Sequence, residues 1–293
     1  MKEIVIISGK GGTGKTSITA SLAKVANTEA VAADCDVDAA DMHLLLQPDF
    51  AYSEDFYSGV IAQIDQEKCI KCGKCKDVCR FKAISIINKQ YVVAPLDCEG
   101  CGYCAQICPR DAISTPHQNV GNWYISSTRL DMPLVHARLG IGAENSGKLV
   151  AKVKNEAKAL AKEKNIPFLL VDGSPGIGCP VISSLSGADF VVFVTEPTVS
   201  GLHDLQRVYE LIAQFKLPAG CIINKADLNI EKTKLIKQFM QQYQIYELDD
   251  INYDEKFSEA VTNGYTAAEI DKEYEEKFKN IWKKIKKIVL EKK

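Results

Sequence analysis

Gly9-x-x-x-x-Gly14-Lys15-Thr16 stands between the apolar, β-branched run Glu3-Ile-Val-Ile-Ile-Ser8 and a stretch up to Asn27 in which Ile18, Leu22, Val25 and Ala26 recur at helical spacing. A buried strand therefore enters a glycine turn that opens a helix. The glycines let backbone N–H groups converge on an anion, Lys15 brings positive charge to outer phosphates, and the Thr16 hydroxyl suits Mg2+. Further apolar runs at Ala30–Ala33, Phe168–Val171, Phe190–Val194 and Cys221–Ile223 are separated mostly by helical patterns. Strands alternating with helices imply an α/β fold, a mostly parallel sheet covered by helices.

Between Ile64 and Pro116 that alternation gives way to close-set cysteines, lysines and short apolar pieces. The expected organisation is a first part of the α/β domain at residues 1–63, an inserted small α+β domain at 64–116, and the second part at 117–293. Trp123–Ser126 is expected to resume the sheet, and Asp131–Asn145 carries no assignable pattern. The insertion repeats itself. Cys69-Ile-Lys-Cys-Gly-Lys-Cys-Lys-Asp-Val-Cys79 superimposes on Cys98-Glu-Gly-Cys-Gly-Tyr-Cys-Ala-Gln-Ile-Cys108 at an offset of 29, which also matches Ala83-Ile84-Ser85 to Ala112-Ile113-Ser114. Duplication of a half-module explains this.

Eight of the eleven cysteines lie in that insertion. With no apolar run of spanning length and no secretory leader pattern, a cytoplasmic location is expected, where structural disulfides are disfavoured and clustered cysteines point to metal. The net charge of -2, with no basic block before the last turns, argues against nucleic acid as the principal partner. A membrane is not expected as a partner either.

Lys10-Gly-Gly-Thr-Gly-Lys15-Thr16 resembles the deviant P-loop of the MinD/ParA/nitrogenase iron protein superfamily, whose extra lysine contacts nucleotide across a dimer interface. Asp34-Cys-Asp36-Val-Asp38 stands where that family has its second aspartate-bearing motif. Phe168-Leu-Leu-Val-Asp172-Gly-Ser-Pro-Gly176 resembles its switch II strand, and Cys221-Ile-Ile-Asn224-Lys225-Ala-Asp227 its base-contacting strand end. The resemblance covers residues 1–48 and 120–265. It implies an ATPase that forms a homodimer with ATP bound, with Lys10, Lys15 and Asp36 catalytic and Asp36 orienting the attacking water. The implied nucleotide-binding residues are Gly9, Lys10, Gly11, Gly12, Thr13, Gly14, Lys15, Thr16, Ser17 and Asn224, the last facing the purine. Mg2+ would sit on Thr16, Asp36 and Asp172. Two features depart from this pattern or blur it. Asp41 replaces a small polar residue, and Asn224-Lys225-x-Asp227 also resembles a guanine-reading motif; the deviant loop favours ATP.

The run Cys98-x2-Cys101-x2-Cys104-x3-Cys108-Pro109 matches the bacterial ferredoxin pattern, and the first run has the same spacing with Arg80 in place of proline. Zinc prefers two separated Cys-x2-Cys pairs. By resemblance to two-cluster ferredoxins, one 4Fe-4S cluster would take Cys69, Cys72, Cys75 and Cys108, and the other Cys98, Cys101, Cys104 and Cys79. The whole chain thus resembles a MinD-type ATPase with an inserted ferredoxin domain. Expected functions are ATP-gated electron transfer with an unidentified redox or metalloprotein partner, or ATP-dependent assembly of a metallocofactor. A positioning ATPase would need no redox centre.

Of the other cysteines, Cys35 and Cys221 are expected as buried thiols. Cys179 lies seven residues after Asp172, where the nitrogenase iron protein has an intersubunit cluster ligand, but the second such ligand has no counterpart. In the tail, Tyr274, Phe278, Ile281, Trp282, Ile285 and Val289 form one helical stripe, expected to pack on the domain rather than on a membrane. Glu273 with Lys277 and Glu275 with Lys279 are expected to pair on its solvated face.

Overall fold

The computed structural model describes residues 1–140 and 146–291. In chain order the strands are β1 (Lys2–Ile7), β2 (Ala30–Asp34), β3 (Tyr52–Val60), β4 (Gln63–Ile64), β5 (Ile84–Ile87), β6 (Gln90–Val93) and β7 (Ile113–Ser114). They continue with β8 (His117–Ser127), β9 (Pro133–Leu139), β10 (Phe168–Asp172), β11 (Phe190–Thr195), β12 (Ala219–Asn224) and β13 (Tyr246–Ile251).

Nine strands form one sheet in the order β13-β12-β11-β1-β10-β2-β9-β8-β3. β1 lies between β10 and β11, parallel to both, and the pairs β10 with β2, β2 with β9, β11 with β12, and β12 with β13 are also parallel. Strands covered on both faces should be apolar throughout, and Ile4, Val5, Ile6 and Ile7 are all fully buried. β8 contains Trp123–Ser126, and β9, its neighbour across a short turn at Thr128–Met132, occupies part of the stretch that the sequence left unassigned; residues 141–145 of that stretch, and 292–293 of the third expected segment, lie outside the described residues.

The tail forms the helix Lys272–Glu291, and Phe278, Ile281, Trp282, Ile285 and Val289 are buried in the main core, with Tyr274 partly buried against it. Trp282 meets Phe168 edge to face at 5.1 Å between ring centroids. Lys279 pairs with Glu275 at 2.9 Å as the spacing predicts, whereas Lys277 approaches Asp249 at 3.9 Å instead of Glu273.

The chain divides into two compact units, one built from Met1–Glu54, Asn122–Leu139 and Ser146–Lys293 and the other essentially from Asp55–Gly121. The second holds two small sheets, β4 with β7 and β5 with β6, both antiparallel. Its internal repeat is visible in the backbone. Gly73 and Gly102, 29 residues apart, have φ of 83° and 72° and open the short helices Lys74–Val78 and Tyr103–Gln106. Ile84 and Ile113 are buried at equivalent points beyond them.

Candidate nucleotide site and cysteine cavities

β1 delivers Ser8 to the loop Gly9–Gly14, and the helix Lys15–Ala26 starts immediately beyond it. Gly14 has φ 86°, and a Cβ there would lie 2.5 Å from the Asn224 amide nitrogen, so backbone conformation and space both demand glycine. No side chain caps this helix, which leaves its first N–H groups pointing into the loop. The Thr13 hydroxyl is buried and has no hydrogen-bond partner within the chain. Uncapped N–H groups, that hydroxyl and the buried ammonium of Lys15 make a cradle suited to a polyphosphate.

Lys15 reaches Asp172 Oδ1 at 2.9 Å and Asp36 Oδ2 at 3.3 Å. Burial pulls its pKa down, but the attraction of Asp172 and Asp36 outweighs burial and holds it above the ordinary lysine value. Thr16 donates to Asp172 Oδ2 at 2.7 Å, and Thr19, one turn on, donates to Asp172 Oδ1 at 2.8 Å. Thr19 was not legible as a site residue; its position four after Lys15 on the same helix face is the signal. Asp34 is fully enclosed, and burial, then Asp172, pushes its carboxyl well above the usual range. Its oxygens accept from the amides of Asp36 at 3.1 Å and Met42 at 3.3 Å, so it shapes the loop that carries Asp36. Burial also raises Asp36. Asp36 and Asp172 outnumber the one ammonium, Lys15, and with the Thr16 hydroxyl they form an oxygen donor set that fits Mg2+.

Lys10 Nζ pairs with Glu196 Oε1 at 2.6 Å and donates to Ser200 Oγ at 2.9 Å. Glu196, which the sequence did not single out, is held below its ordinary pKa: burial opposes this, but Lys10 and Lys225 outweigh it. Asn224 donates to the Thr13 carbonyl at 2.9 Å and accepts from the Lys225 amide at 3.0 Å, tying the end of β12 to the phosphate loop. Asp227 accepts from the Tyr253 amide at 2.6 Å. Ser17 lies in the first turn of the loop's helix, and Asp38 and Asp41 lie beyond Asp36.

In the second unit the eight thiols divide between two cavities. Cys69, Cys72, Cys75 and Cys108 line one; Cys79, Cys98, Cys101 and Cys104 line the other. None forms a disulfide. Among the described residues no three His, Cys, Asp or Glu side chains converge as a single metal ion requires. Elsewhere, Cys35 and Cys221 are buried and burial pushes both thiols up, as inert core thiols should be. Cys179 is exposed at the start of the helix Cys179–Leu185, with Pro180 after it.

A parallel sheet whose first strand feeds a phosphate loop, with a second lysine inside that loop, defines a deviant P-loop nucleotide-binding protein. The CobQ/CobB/MinD/ParA nucleotide binding domain matches residues 4–267, and the chain belongs to this family. It is 38% identical over 230 residues to the uncharacterized protein MJ0578 of Methanocaldococcus jannaschii, covering 78% of this chain and 79% of that one. MJ0579 of the same organism is 27% identical over 242 residues, covering 78% and 84%. Among solved structures, the septum site-determining protein MinD with Mg-ADP from Pyrococcus horikoshii superimposes with a TM-score of 0.59 at 19% identity over 98% of this chain and 96% of that one, a likeness of fold. Among the described residues no helix is long and apolar enough to cross a membrane.

Proposed function

We propose that this protein hydrolyses ATP as a nucleotide-dependent homodimer and couples that cycle to electron transfer through two 4Fe-4S clusters. The observation that carries the reading is the division of eight thiols into two sets of four around separate cavities, in the combination that the ferredoxin resemblance implies. Cys69, Cys72, Cys75 and Cys108 would hold one cluster, and Cys98, Cys101, Cys104 and Cys79 the other. Such clusters supply one-electron storage at potentials tuned by nearby charge and solvent.

The nucleotide half of the reading rests on the family and on the buried Lys15, Asp36 and Asp172. Water attacks the γ-phosphorus as the bond to the β,γ-bridging oxygen breaks; ADP leaves and the proton passes to the phosphate released. Lys15 draws charge from the transferring group and Asp36 orients the water; Thr16 and Asp172 would hold Mg2+, which would supply further charge neutralisation. Lys10 acts on the partner's nucleotide. Glu196 also pairs with Lys225 at 3.3 Å, so when dimerisation recruits Lys10 the part-buried Glu196 carboxylate keeps a counter-charge.

Anoxic purification tests the cluster assignment: about eight iron and eight acid-labile sulfide per chain are expected, and zinc in place of iron after anoxic reconstitution overturns it. A second reading, delivery of a cluster to a client, draws on the exposure of Cys72 and Cys101, one thiol in each set. Iron that stays bound through ATP turnover in the presence of an apo-acceptor favours electron transfer; iron that leaves favours delivery.

A further inference from the structure

The two cysteine cavities have matched thiols and unmatched rims. At the 29-residue offset the loop Ile70-Lys71-Cys72-Gly73-Lys74-Cys75-Lys76 corresponds to Glu99-Gly100-Cys101-Gly102-Tyr103-Cys104-Ala105. The first loop carries three lysines and no carboxylate; the second carries one carboxylate and no lysine. Lys71, Lys74 and Lys76 are all exposed and form no ion pair among the described residues. Lys74 lines the first cavity, as do Ile70 and Cys72 on either side of Lys71. The acids around this loop are Asp65, Glu67, Asp77 and Asp111, four carboxylates against Lys68, Arg110 and the three loop lysines, so positive charge stays in excess. Asp65 pairs with Lys68 at 3.6 Å, and Glu67 and Asp111 share a polar groove with Lys68 and Arg110.

The second loop shows that these lysines are not needed to fold such a loop or to present its thiols, because it does both without them. Lys71 makes the point sharply. Its φ is 60° and that of its twin Gly100 is 61°, a left-handed conformation that glycine adopts freely and lysine only at a cost of about 1 kcal/mol. At the first cavity the side chain is present despite that cost. At its centre, Ile70 is 57% exposed beside the exposed Cys72, an apolar spot flanked by positive charge.

We infer that the loop Ile70–Lys76 is the docking surface for an acidic one-electron carrier protein, which donates to the group held by Cys69, Cys72, Cys75 and Cys108. The inference rests on the cluster reading above. In the transfer one electron leaves the carrier, which is oxidised, and enters that group, which is reduced; no bond forms or breaks. The lysines attract the carrier and orient its redox centre toward Cys72, while the corresponding loop of the second cavity, which carries Glu99 and Tyr103 and leaves Arg80 and Lys82 outside it beside Phe81, lacks this lysine cluster.

The test uses flavodoxin, an acidic flavoprotein, as the probe and the triple variant Lys71→Gly, Lys74→Tyr, Lys76→Ala, which writes the second loop's residues into the first. Calorimetry with oxidised flavodoxin reads binding without electron transfer. Wild-type affinity should fall at least about tenfold as ionic strength rises from about 0.05 M to about 0.3 M, because screening shortens the reach of exposed charges. The variant should bind at least about tenfold more weakly at low salt and respond little to salt, and Glu99→Gln should bind as wild type or tighter. Stopped-flow reduction by reduced flavodoxin should follow the same order. Iron and sulfide are measured on every sample. Their absence from the wild type overturns the cluster reading and this proposal together. Full clusters with no flavodoxin binding, or with equal affinity in wild type and variant, overturn the docking surface alone.

Discussion

Lys15 is buried among carboxylates, so its replacement acts on both catalysis and stability. Lys15→Ala should lower ATP hydrolysis by at least about a hundredfold, the scale of losing one charge-stabilising group. It should also destabilise the fold by about 3–5 kcal/mol, since Asp36 and Asp172 lose their counter-charge. Phosphate release and thermal unfolding separate the two effects. Asp36→Asn keeps a similar shape and should still bind ATP while losing turnover; hydrolysis at the wild-type rate would remove Asp36 from the water-orienting role. Lys10→Ala should leave the monomer folded and weaken ATP-dependent dimerisation. An unchanged sedimentation response to ATP would contradict the cross-subunit role.

At the scale of elements, the turn after β8 is tied to the 3-10 turn Ala267–Glu269 by Arg129, which grips Glu269 through two hydrogen bonds of 2.7 and 2.6 Å. Glu269 also accepts from the Thr266 amide and hydroxyl. Burial alone would raise this carboxyl, but Arg129 and Thr266 outweigh it and bring the pKa to about 2. A carboxylate depressed below its unfolded value stabilises the fold above the unfolded pKa and loses that contribution as pH falls through the folded one. Glu269→Gln should therefore cost about 1–3 kcal/mol at neutral pH, and the gap from wild type should close between about pH 4.5 and about pH 2. Denaturant titrations at several pH values measure this. A gap that does not change with pH would remove Glu269's charge from the account.

The elements legible in the sequence were those with one strong period. The all-apolar strands Ile4–Ile7 and Phe168–Val171 and the stripe from Phe278 to Val289 were readable because burial on both faces, or on one, leaves a regular pattern. The β8–β9 turn was not, because Thr128–Met132 is held by hydrogen bonds of the Thr128 hydroxyl and backbone to Met132 that leave no periodicity. In the nucleotide site, Lys15, Thr16, Asp36 and Asp172 were named from motifs that order them along the chain. Thr19 joins the site through helical spacing from Lys15, whereas Glu196 and Ser200 join it only through distance in space, Glu196 lying 186 residues from its partner Lys10.

At the scale of the whole molecule, the proposed function requires that nucleotide and redox states inform one another. The cysteine insertion follows the segment Asp36–Asp41 in the chain, giving a short covalent route from the nucleotide site to Cys69. A nucleotide can shift the clusters only by binding two conformations with different affinity, and linkage then requires that cluster oxidation state alter ATP affinity by the same factor. A redox titration followed by EPR, with and without a non-hydrolysable ATP analogue and Mg2+, measures this directly. The midpoint potential of at least one cluster should move, by about 59 mV for each tenfold difference in ATP affinity between oxidised and reduced protein. Superimposable titrations, together with equal ATP affinity in both redox states, would contradict it.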